Sequence, residues 1–366
     1  MFKSFKISIL DKYIIQKYLS TFGFIVLMLT LIACVIDFSE KADVFTKGVI
    51  TKKEIFIDHY MNFIPHISTL LFPLYALISV VFFTSRMASN SEIISILNAG
   101  VSFGRLTRPY LIAGGFIAVL HLVLNHFIVP RGNKDRLRIE HTYITTGNDK
   151  GKTENVHMFL DPQTKVFIGY FRLNDTTVRD FRIEKYEKGE LKSILKAENA
   201  EWRGYPNKWV LKVAQRRTFN GLSESLETNI ASIDTTLNIQ PEDFVRYHNQ
   251  NEMLTTPELY KEIYKLDARG MGNTKPYQIE VQRRTSEPFT IIILTLIGMA
   301  LAARKVRGGI GLHLAMGLGL GAIFIFLSKF SVTFAMQPDV PAIVGVWVPN
   351  IIFGAVAAYL VLQAQK

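Results

Sequence analysis

The chain has 366 residues, of which 49% are hydrophobic, and a formal net charge of +11. Charge of this size is common in nucleic-acid-binding proteins, but its distribution excludes DNA or RNA as a partner. Eleven lysine and arginine residues, against two acids, fall in short segments beside alternate ends of apolar runs. The long central segment, residues 131–287, holds 26 basic and 23 acidic residues. Lysine and arginine beside apolar runs mark the cytoplasmic side of a membrane, so the charge predicts membrane topology.

Six apolar runs are long enough, or nearly so, to cross a bilayer core about 30 Å thick at about 1.5 Å per residue. These runs are 19–36, 64–84, 109–129, 289–303, 308–334 and 340–362. The fourth run is short, so its helix is expected to begin near Thr285, with Pro288 tolerated in the first turns. The sequence therefore predicts six transmembrane helices, three on each side of a long insert.

The first span is preceded by residues 1–17, which alternate lysine with phenylalanine and isoleucine and predict an amphipathic helix on the inner leaflet. After the span come Phe38 and the charged residues Asp37 and Lys41. The two charges either mark the membrane interface or meet a lipid headgroup. The single cysteine, Cys34, excludes an internal disulfide. A small-residue motif before Cys34 resembles a lipoprotein-processing site. The apolar stretch is longer than a signal peptide's core, so a thiol within a membrane helix is favoured.

A polar interruption at residues 88–100 follows the second span and predicts a short amphipathic helix on the cytoplasmic side. Serine and asparagine residues at its start favour helix capping, and Gly100 favours its termination. Its one acid, Glu92, lies in the first turn. We interpret this segment as a helix presented to a cytoplasmic partner.

In the third span His121 and Asn125 lie four residues apart and therefore on one helix face. Polar contacts between helices are the favoured interpretation, with a proton or metal role as the alternative. The fifth span has small residues at four-residue spacing, as at Gly317 and Gly321. This spacing favours close helix packing, with a sliding or gating face as the alternative.

The insert changes to short segments of β character separated by turn residues. The predicted strands are 153–160, 165–172, 178–186, 191–202, 208–214 and 226–233. Strands at this spacing predict an antiparallel sandwich or jelly roll. A capped segment with proline at its first position then predicts a connecting helix at residues 256–269.

Catalytic and metal-binding motifs are weak or absent in the sequence. The G-x-S-x-G match at residues 100–104 follows a predicted helix, whereas a nucleophile elbow requires a strand before the serine. Neither H-E-x-x-H nor paired cysteine and histidine ligands occur. The sequence therefore predicts no catalytic residue, no metal site and no cofactor.

Two stretches resemble the lipopolysaccharide-export permease family, LptF/LptG. Residues 71–106, LFPLYALISVVFFTSRMASNSEIISILNAGVSFGRL, resemble the second span and cytoplasmic coupling helix of that family. The match is specific at Ser91-Glu92-Ile93 and at Ala99-Gly100-Val101-Ser102. A second match, RRTSEPF at residues 283–289, resembles the family's entry into its fourth span.

The resemblance implies an α-helical polytopic membrane protein of the bacterial inner membrane, with six transmembrane helices and an inserted periplasmic β-jelly-roll domain. The N-terminal membrane half would be residues 1–130, with its coupling helix at 88–100. The periplasmic domain would be residues 131–280, and the C-terminal membrane half 281–366. The implied partners are a paralogous permease in a heterodimer, a separate cytoplasmic ATPase dimer, lipopolysaccharide and periplasmic jelly-roll bridge proteins.

Two sets of site residues are expected. The residues expected to couple to the ATPase are Ser91, Glu92, Ile93, Leu97 and Gly100. Lipid is expected to enter between the first and fifth spans, along Asp37, Phe38, Lys41, Phe326 and Lys329. Some family members have several basic residues at the end of the first span, where this chain has Asp37, Glu40 and only Lys41.

Two other function classes are alternatives to a transport permease. A membrane sensor that detects a periplasmic ligand is expected to carry a cytoplasmic output domain, which the sequence does not predict. An intramembrane transferase needs a convergent set of acids, bases and nucleophiles. The apolar runs also predict no row of buried ionisable groups, so the energy for transport is expected to arrive through the cytoplasmic loops.

Overall fold

The computed structural model describes residues 8–144, 154–172, 176–204, 207–237, 239, 243, 249–269, 274–304, 306 and 308–364. Contacts divide the chain into a helical unit and an inserted unit. The helical unit comprises Met1–Ile139, Glu252–Thr256 and Lys275–Lys366. The inserted unit comprises Glu140–Asn251 and Pro257–Thr274.

The described α-helices are numbered in chain order. They are α1 Ile9–Thr46, α2 Met61–Ser89, α3 Glu92–Asn98, α4 Phe103–Val123, α5 Val129–Ile139, α6 Gln250–Met253, α7 Thr256–Ala268, α8 Lys275–Ala302, α9 Gly309–Ala335 and α10 Ala342–Ala364. Single π-helical segments extend three of these helices, at Glu54–Tyr60 before α2, at Leu124–Ile128 between α4 and α5, and at Glu140–Ile144 after α5.

Six helical segments in the described residues are long and apolar enough to cross a membrane, which confirms the predicted number of spans. They are Ile9–Thr46, Glu54–Ser89, Phe103–Ile144, Lys275–Ala302, Gly309–Ala335 and Ala342–Ala364. Each is longer than the apolar run that predicted it or equal to it in length, because charged end residues join the helix where they find partners.

The predicted start of the fourth span is wrong: α8 begins at Lys275, and Pro288 lies inside the helix instead of in its first turns. Charged residues before Thr285 hid this part of the helix from an apolar search. They are accommodated because Glu280 pairs with arginines three and four residues further on, on its own helix face.

The N-terminal amphipathic segment is continuous with the first span over the described residues. Helix α1 runs unbroken from Ile9 to Thr46, and residues 1–7 of the predicted segment lie outside the described residues. Ser8 caps the helix: its side chain accepts from the Asp11 amide, while the Asp11 carboxylate accepts from the Ser8 amide. With neither glycine nor proline between Lys12 and Leu19, nothing in the sequence ends this helix before the membrane.

Helices α2 and α8 form the centre of the helical unit. In each, 61% of the most apolar window is buried, against 11% in α1 and 22% in α9. The two helices approach closely at Gly298, where an added Cβ would overlap Val80 Cγ1. The glycines of the fifth span also pack on α2, because a Cβ at Gly317 would lie 3.1 Å from Val81 Cγ2. These distances support close packing at Gly317.

The inserted unit contains a six-stranded antiparallel sheet in its described part, which confirms the predicted β domain. The strands are β1 Glu154–Asp161, β2 Thr164–Arg172, β3 Thr177–Glu187, β4 Glu190–Trp202, β5 Lys208–Asn220 and β6 Ser223–Thr236. They are neighbours in sequence order, so all are joined as consecutive hairpins. The tight turn between β3 and β4 is Lys188-Gly189, with both residues at positive φ, as a two-residue hairpin requires.

One face of the sheet is buried and strand β6 is largely exposed. Phe181 and Trp209 lie on the buried face with their rings parallel and 6.5 Å apart, and the Trp209 Nε1 donates to the carbonyl of Ile239. In contrast, Leu222, at the turn into β6, and Leu226 within it are exposed. Within the described part of the sheet, strand β6 pairs with β5 alone and therefore forms one edge. Helix α7 occurs where the connecting helix was predicted.

Candidate functional site

The polar interruption after the second span contains α3, a helix of seven residues. Ser91 stands at its N-cap with φ 65°, in the left-handed region, and the predicted side-chain cap does not form. Its carbonyl instead accepts from the amide and the hydroxyl of Ser95. Gly100 has φ +87° and follows the end of the helix, as predicted. The segment is therefore a short helix bounded by two left-handed residues.

Helix α3 has one buried side and one exposed side. Ile93 is 1% exposed and belongs to the core of the helical unit, and Leu97 packs partly against that core. Ile94, by contrast, is 42% exposed. The buried side fixes the orientation of α3 on the helical unit, and the exposed side is available to another chain.

Glu92 links α3 to the N-terminal end of α1. The hydroxyl of Tyr13 donates to Glu92 Oε2 at 3.0 Å, and the Asn90 amide lies 3.4 Å from Oε1. Both contacts are exposed, so the carboxylate remains accessible on its outer side. Sequence reasoning had assigned Glu92 only to helix capping or to a partner and had missed Tyr13.

Helix α4 starts next to the same end of α1. Ser102 caps α4 by accepting from the amide of Arg105, which explains the serine of the G-x-S-x-G match as a helix cap. The Arg105 guanidinium donates to both carboxylate oxygens of Asp11, at 2.6 and 2.7 Å. Asp11 is 1% exposed, although it lies close to the chain start. A bidentate pair between residues 94 positions apart has no signature in the sequence.

The C-terminal end of α1 holds two of the predicted lipid-path residues in one polar cluster. Asp37 is 7% exposed, and its carboxylate contacts Lys41 through Oδ1 and the Nε2 of His59, at 2.9 Å, through Oδ2. The His59 ring is fully buried and stacks on Phe63 with centroids 5.8 Å apart. Asp37 and Lys41 thus neutralise each other, and the Lys41 side chain is 12% exposed.

The remaining lipid-path residues lie on exposed apolar faces. Phe38 is 49% exposed, and Phe326 is 74% exposed on α9, one turn before the exposed Lys329. Helices α1 and α9 are the two least buried of the candidate spans, and both pack against α2. The helical unit therefore presents two apolar helices whose outer faces require lipid or another protein as cover.

A cluster of buried charges on α8 was missed by the sequence reasoning. Arg284 is 1% exposed and donates to Glu280 Oε1 at 2.8 Å and to the carbonyl of Leu254 at 2.8 Å. Arg283 contacts the other oxygen of Glu280 at 2.9 Å. The prediction that the membrane part lacks such groups is therefore wrong. The sequence signal was RRTSEPF itself, which was read only as the entry to a span.

The α8 cluster continues into the third span. Asn125 donates to Glu287 at 2.8 Å, and the His121 Nε2 lies 3.2 Å from the carbonyl of Thr69 and 3.4 Å from Glu287. These are the interhelical polar contacts predicted for His121 and Asn125. Within the described residues, no three His, Cys, Asp or Glu side chains are grouped as a metal site.

A small cavity of about 20 Å³ borders these charges, which is room for about one water molecule. Glu252 lines it, and burial raises the pKa of this carboxyl above its usual value. The segment that carries Glu252 is fixed to the helical unit through its backbone, because Asn133 donates to the Glu252 carbonyl at 3.2 Å. The cluster therefore anchors residues 252–256, a short piece of chain that lies between two stretches of the inserted unit.

Comparison with known proteins places these features in one family. A family model described as "Lipopolysaccharide export system permease LptF/LptG" matches residues 12–363. The chain is also similar to the "Lipopolysaccharide export system permease protein LptG" of Haemophilus influenzae. The two are 20% identical over 351 residues, which cover 95% of this chain and 96% of that protein.

Proposed function

The chain belongs to the family of lipopolysaccharide export system permeases LptF/LptG, and we propose that it is the membrane subunit of a complex powered by a separate ATPase. The observation that carries this proposal is the family match over residues 12–363, which spans both groups of transmembrane helices and the insert.

The ATPase dimer is proposed to dock on the exposed side of α3, next to Ser91, Glu92 and Gly100. The other two residues expected to couple, Ile93 and Leu97, are proposed instead to hold α3 on the helical unit, because Ile93 is 1% exposed and Leu97 packs partly against the core. Glu92 supports this assignment because it is only partly buried and its hydrogen bonds are exposed, and because Arg86 and Arg105, before and after it in the chain, mark the cytoplasmic side. A cation of the ATPase that pairs with Glu92 would bind with charge assistance. Truncating one member of a desolvated pair costs about 2–5 kcal/mol, whereas loss of a helix-dipole contact costs about 0.3–1 kcal/mol.

A paralogous permease is proposed to cover part of the exposed faces of α1 and α9. Lipopolysaccharide is then proposed to enter between these helices, past Phe38 and Phe326, both of which are exposed. The role of Asp37 and Lys41 differs from the initial expectation. Because these two residues pair with each other, we propose that they order the end of α1, and that Lys329 is the residue available to a lipid phosphate.

The inserted β domain is proposed to lie in the periplasm and to pass lipid to the next jelly-roll domain of the bridge. An open strand edge supports this proposal, because strand addition is a common way for β domains to join. Strand β6 offers such an edge with β5 as its described neighbour.

The proposal is tested by gentle-detergent purification of the tagged chain, identification of the proteins that co-purify and measurement of ATP hydrolysis. An ATPase and a second permease should be recovered together. Glu92→Ala should leave the chain folded and inserted, while complex stability or lipid-stimulated ATP hydrolysis falls about tenfold, the equivalent of about 1.4 kcal/mol. Normal assembly and hydrolysis with Glu92→Lys would refute the coupling role, and recovery of a kinase would favour a sensor.

Lipid entry is tested with photocrosslinking residues at Phe38 and Phe326, and at the exposed Ile351 of α10 as control. Lipopolysaccharide should be captured at the first two positions and not at the third. Capture at Ile351 alone would place the path elsewhere.

A further inference from the structure

Four residues connect the N-terminal end of α1 to the proposed docking helix α3 and to helix α4, which follows it in the chain. They are Asp11 and Tyr13 of α1, Glu92 in the first turn of α3 and Arg105 in the first turn of α4. We call this set the α1 bridge. Its two contacts are the bidentate pair of Asp11 with Arg105 and the hydrogen bond from Tyr13 to Glu92.

Several hydrogen bonds fix the distance and the angle of the Asp11–Arg105 contact. The Asp11 carboxylate is 1% exposed and also accepts from the Ser8 amide at 2.9 Å, while the Ser8 hydroxyl accepts from Arg105 at 3.2 Å. Two parallel bonds from one guanidinium fix both the distance and the angle between the groups. Separating them would leave a buried carboxylate without its cation, which is costly compared with breaking a surface ion pair.

The two contacts flank the docking helix along the chain. Glu92 begins α3, and Arg105 follows three residues after the Ser102 cap of α4. A displacement of α3 that keeps the Tyr13–Glu92 hydrogen bond therefore moves α1 as well, and the Arg105 pair transmits any accompanying movement of α4. Because α1 is a continuous helix of 38 residues, about 57 Å long, a movement at Asp11 reaches Asp37 and Phe38 at its other end.

Most of α1 beyond its N-terminal end packs only loosely against the helical unit, so the helix can move. Of its most apolar window only 11% is buried, and the fully buried apolar residues Ile14 and Tyr18 lie close to the bridge. Farther along, Leu27, Leu31 and Val35 are each more than half exposed. The helix is therefore held tightly to the helical unit at its N-terminal end, and more loosely through the apolar length that follows.

We infer that the α1 bridge transmits movement of the docking helix to α1, with Asp11, Tyr13 and Arg105 as positioning residues for lipid release. The inference rests on the proposed function, in which an ATPase moves α3. Glu92 has a double role in this scheme, because an ATPase cation and Tyr13 contact the same carboxylate. The Arg105 contact keeps α1 attached when the ATPase engages Glu92.

The first test uses the complete complex in proteoliposomes that contain lipopolysaccharide, and measures lipid released per ATP hydrolysed. Arg105→Gln should retain assembly and ATP hydrolysis, while lipid released per ATP falls about fivefold or more. Arg105→Lys keeps the charge without the bidentate geometry and should recover part of the loss. Arg304→Gln is the matched control, since the Arg304 guanidinium donates to the carbonyl of Gln363 at the end of α10, outside the α1 bridge.

A second variant keeps the test valid if Arg105→Gln fails to assemble. Tyr13→Phe removes one hydroxyl from a side chain that is 39% exposed and should fold normally. It should lower lipid released per ATP by a smaller factor, and Tyr13→Phe combined with Arg105→Lys should lower it further. Unchanged lipid release per ATP in the combined variant would overturn the inference.

A spin-label measurement on the isolated chain separates failure of this inference from failure of the proposed function. Labels at Gln16 on α1 and Ser95 on α3, both exposed, report the distance between the helices without any ATPase. The wild-type distribution should be narrow, and Arg105→Gln should broaden it. An equally narrow distribution in the variant would overturn the bridge, whatever partners the complex contains.

Discussion

The buried pair of Glu280 and Arg284 is the contact in the helical unit whose loss should be most costly. Arg284 is 1% exposed and donates to Glu280 and to the carbonyl of Leu254, both at 2.8 Å. Arg284→Met would fill a similar volume but leave that carbonyl without its guanidinium. Removing one partner of a buried pair typically costs about 3–5 kcal/mol. Arg283 still contacts Glu280 at 2.9 Å, so we expect the lower end, about 3 kcal/mol.

The double variant Glu280→Met with Arg284→Met distinguishes a pair from two independent residues. It removes both charges together, so its cost should be smaller than the sum of the single costs by about 1–3 kcal/mol. The residue left without its closest acid is then Arg283, which has Glu287 at 3.9 Å. This remaining contact should limit the damage in the double variant.

The assay is reversible unfolding of the purified chain in mixed micelles. It measures the free energy of unfolding of each variant. Arg203→Met is the matched control, because the Arg203 side chain is 59% exposed in its pair with Glu201. Its loss should cost less than about 1 kcal/mol. An Arg284→Met variant within about 1 kcal/mol of wild type would refute the reasoning, since the buried pair would then contribute no more than a surface pair.

Three further predictions concern packing, pH and topology. Gly298→Ala should destabilise the chain by about 1–3 kcal/mol because its Cβ meets α2, whereas Gly115→Ala, with no described atom within 4 Å of its Cβ, should be tolerated in the same unfolding assay. Burial raises the pKa of Glu252, so the folded state binds the proton of this carboxyl more tightly than the unfolded state does. The contribution of the protonated carboxyl to folding stability is therefore present at low pH and is lost as pH rises through the folded-state pKa. Glu252→Gln should therefore raise the melting temperature at pH 8 more than at pH 5, and an equal effect at both would contradict the assignment. In a cysteine-free background, an impermeant thiol reagent added to right-side-out vesicles should label Ser223→Cys and spare Ser95→Cys, and the reverse pattern would invert the topology.

The class of the protein was determined by the sequence itself. Apolar runs long enough for a bilayer must form helices there, because a helix satisfies its backbone hydrogen bonds without water. The β insert was predicted for a similarly local reason: alternation with a period of two and hairpin residues such as Lys188-Gly189 specify strands and turns. A short helix after the second span was also predictable, but its bounds were not: α2 continues to Ser89, and the helix covers only Glu92–Asn98 of the predicted 88–100.

What depended on tertiary structure were the contacts between residues far apart in the chain. The start of α8 at Lys275 could not be found by an apolar search, because Glu280 and Arg284 are tolerated only through their mutual pairing and the backbone of residues 252–256. For the same reason the contacts of Asp37 with Lys41 and with His59 of the following helical segment were not predictable, and a role of these charges toward lipid stays a prediction. The hydrophobic pattern of a sequence predicts how much of a helix is buried away from water. Which side chain neutralises a buried charge depends on the packing of helices that the pattern does not specify.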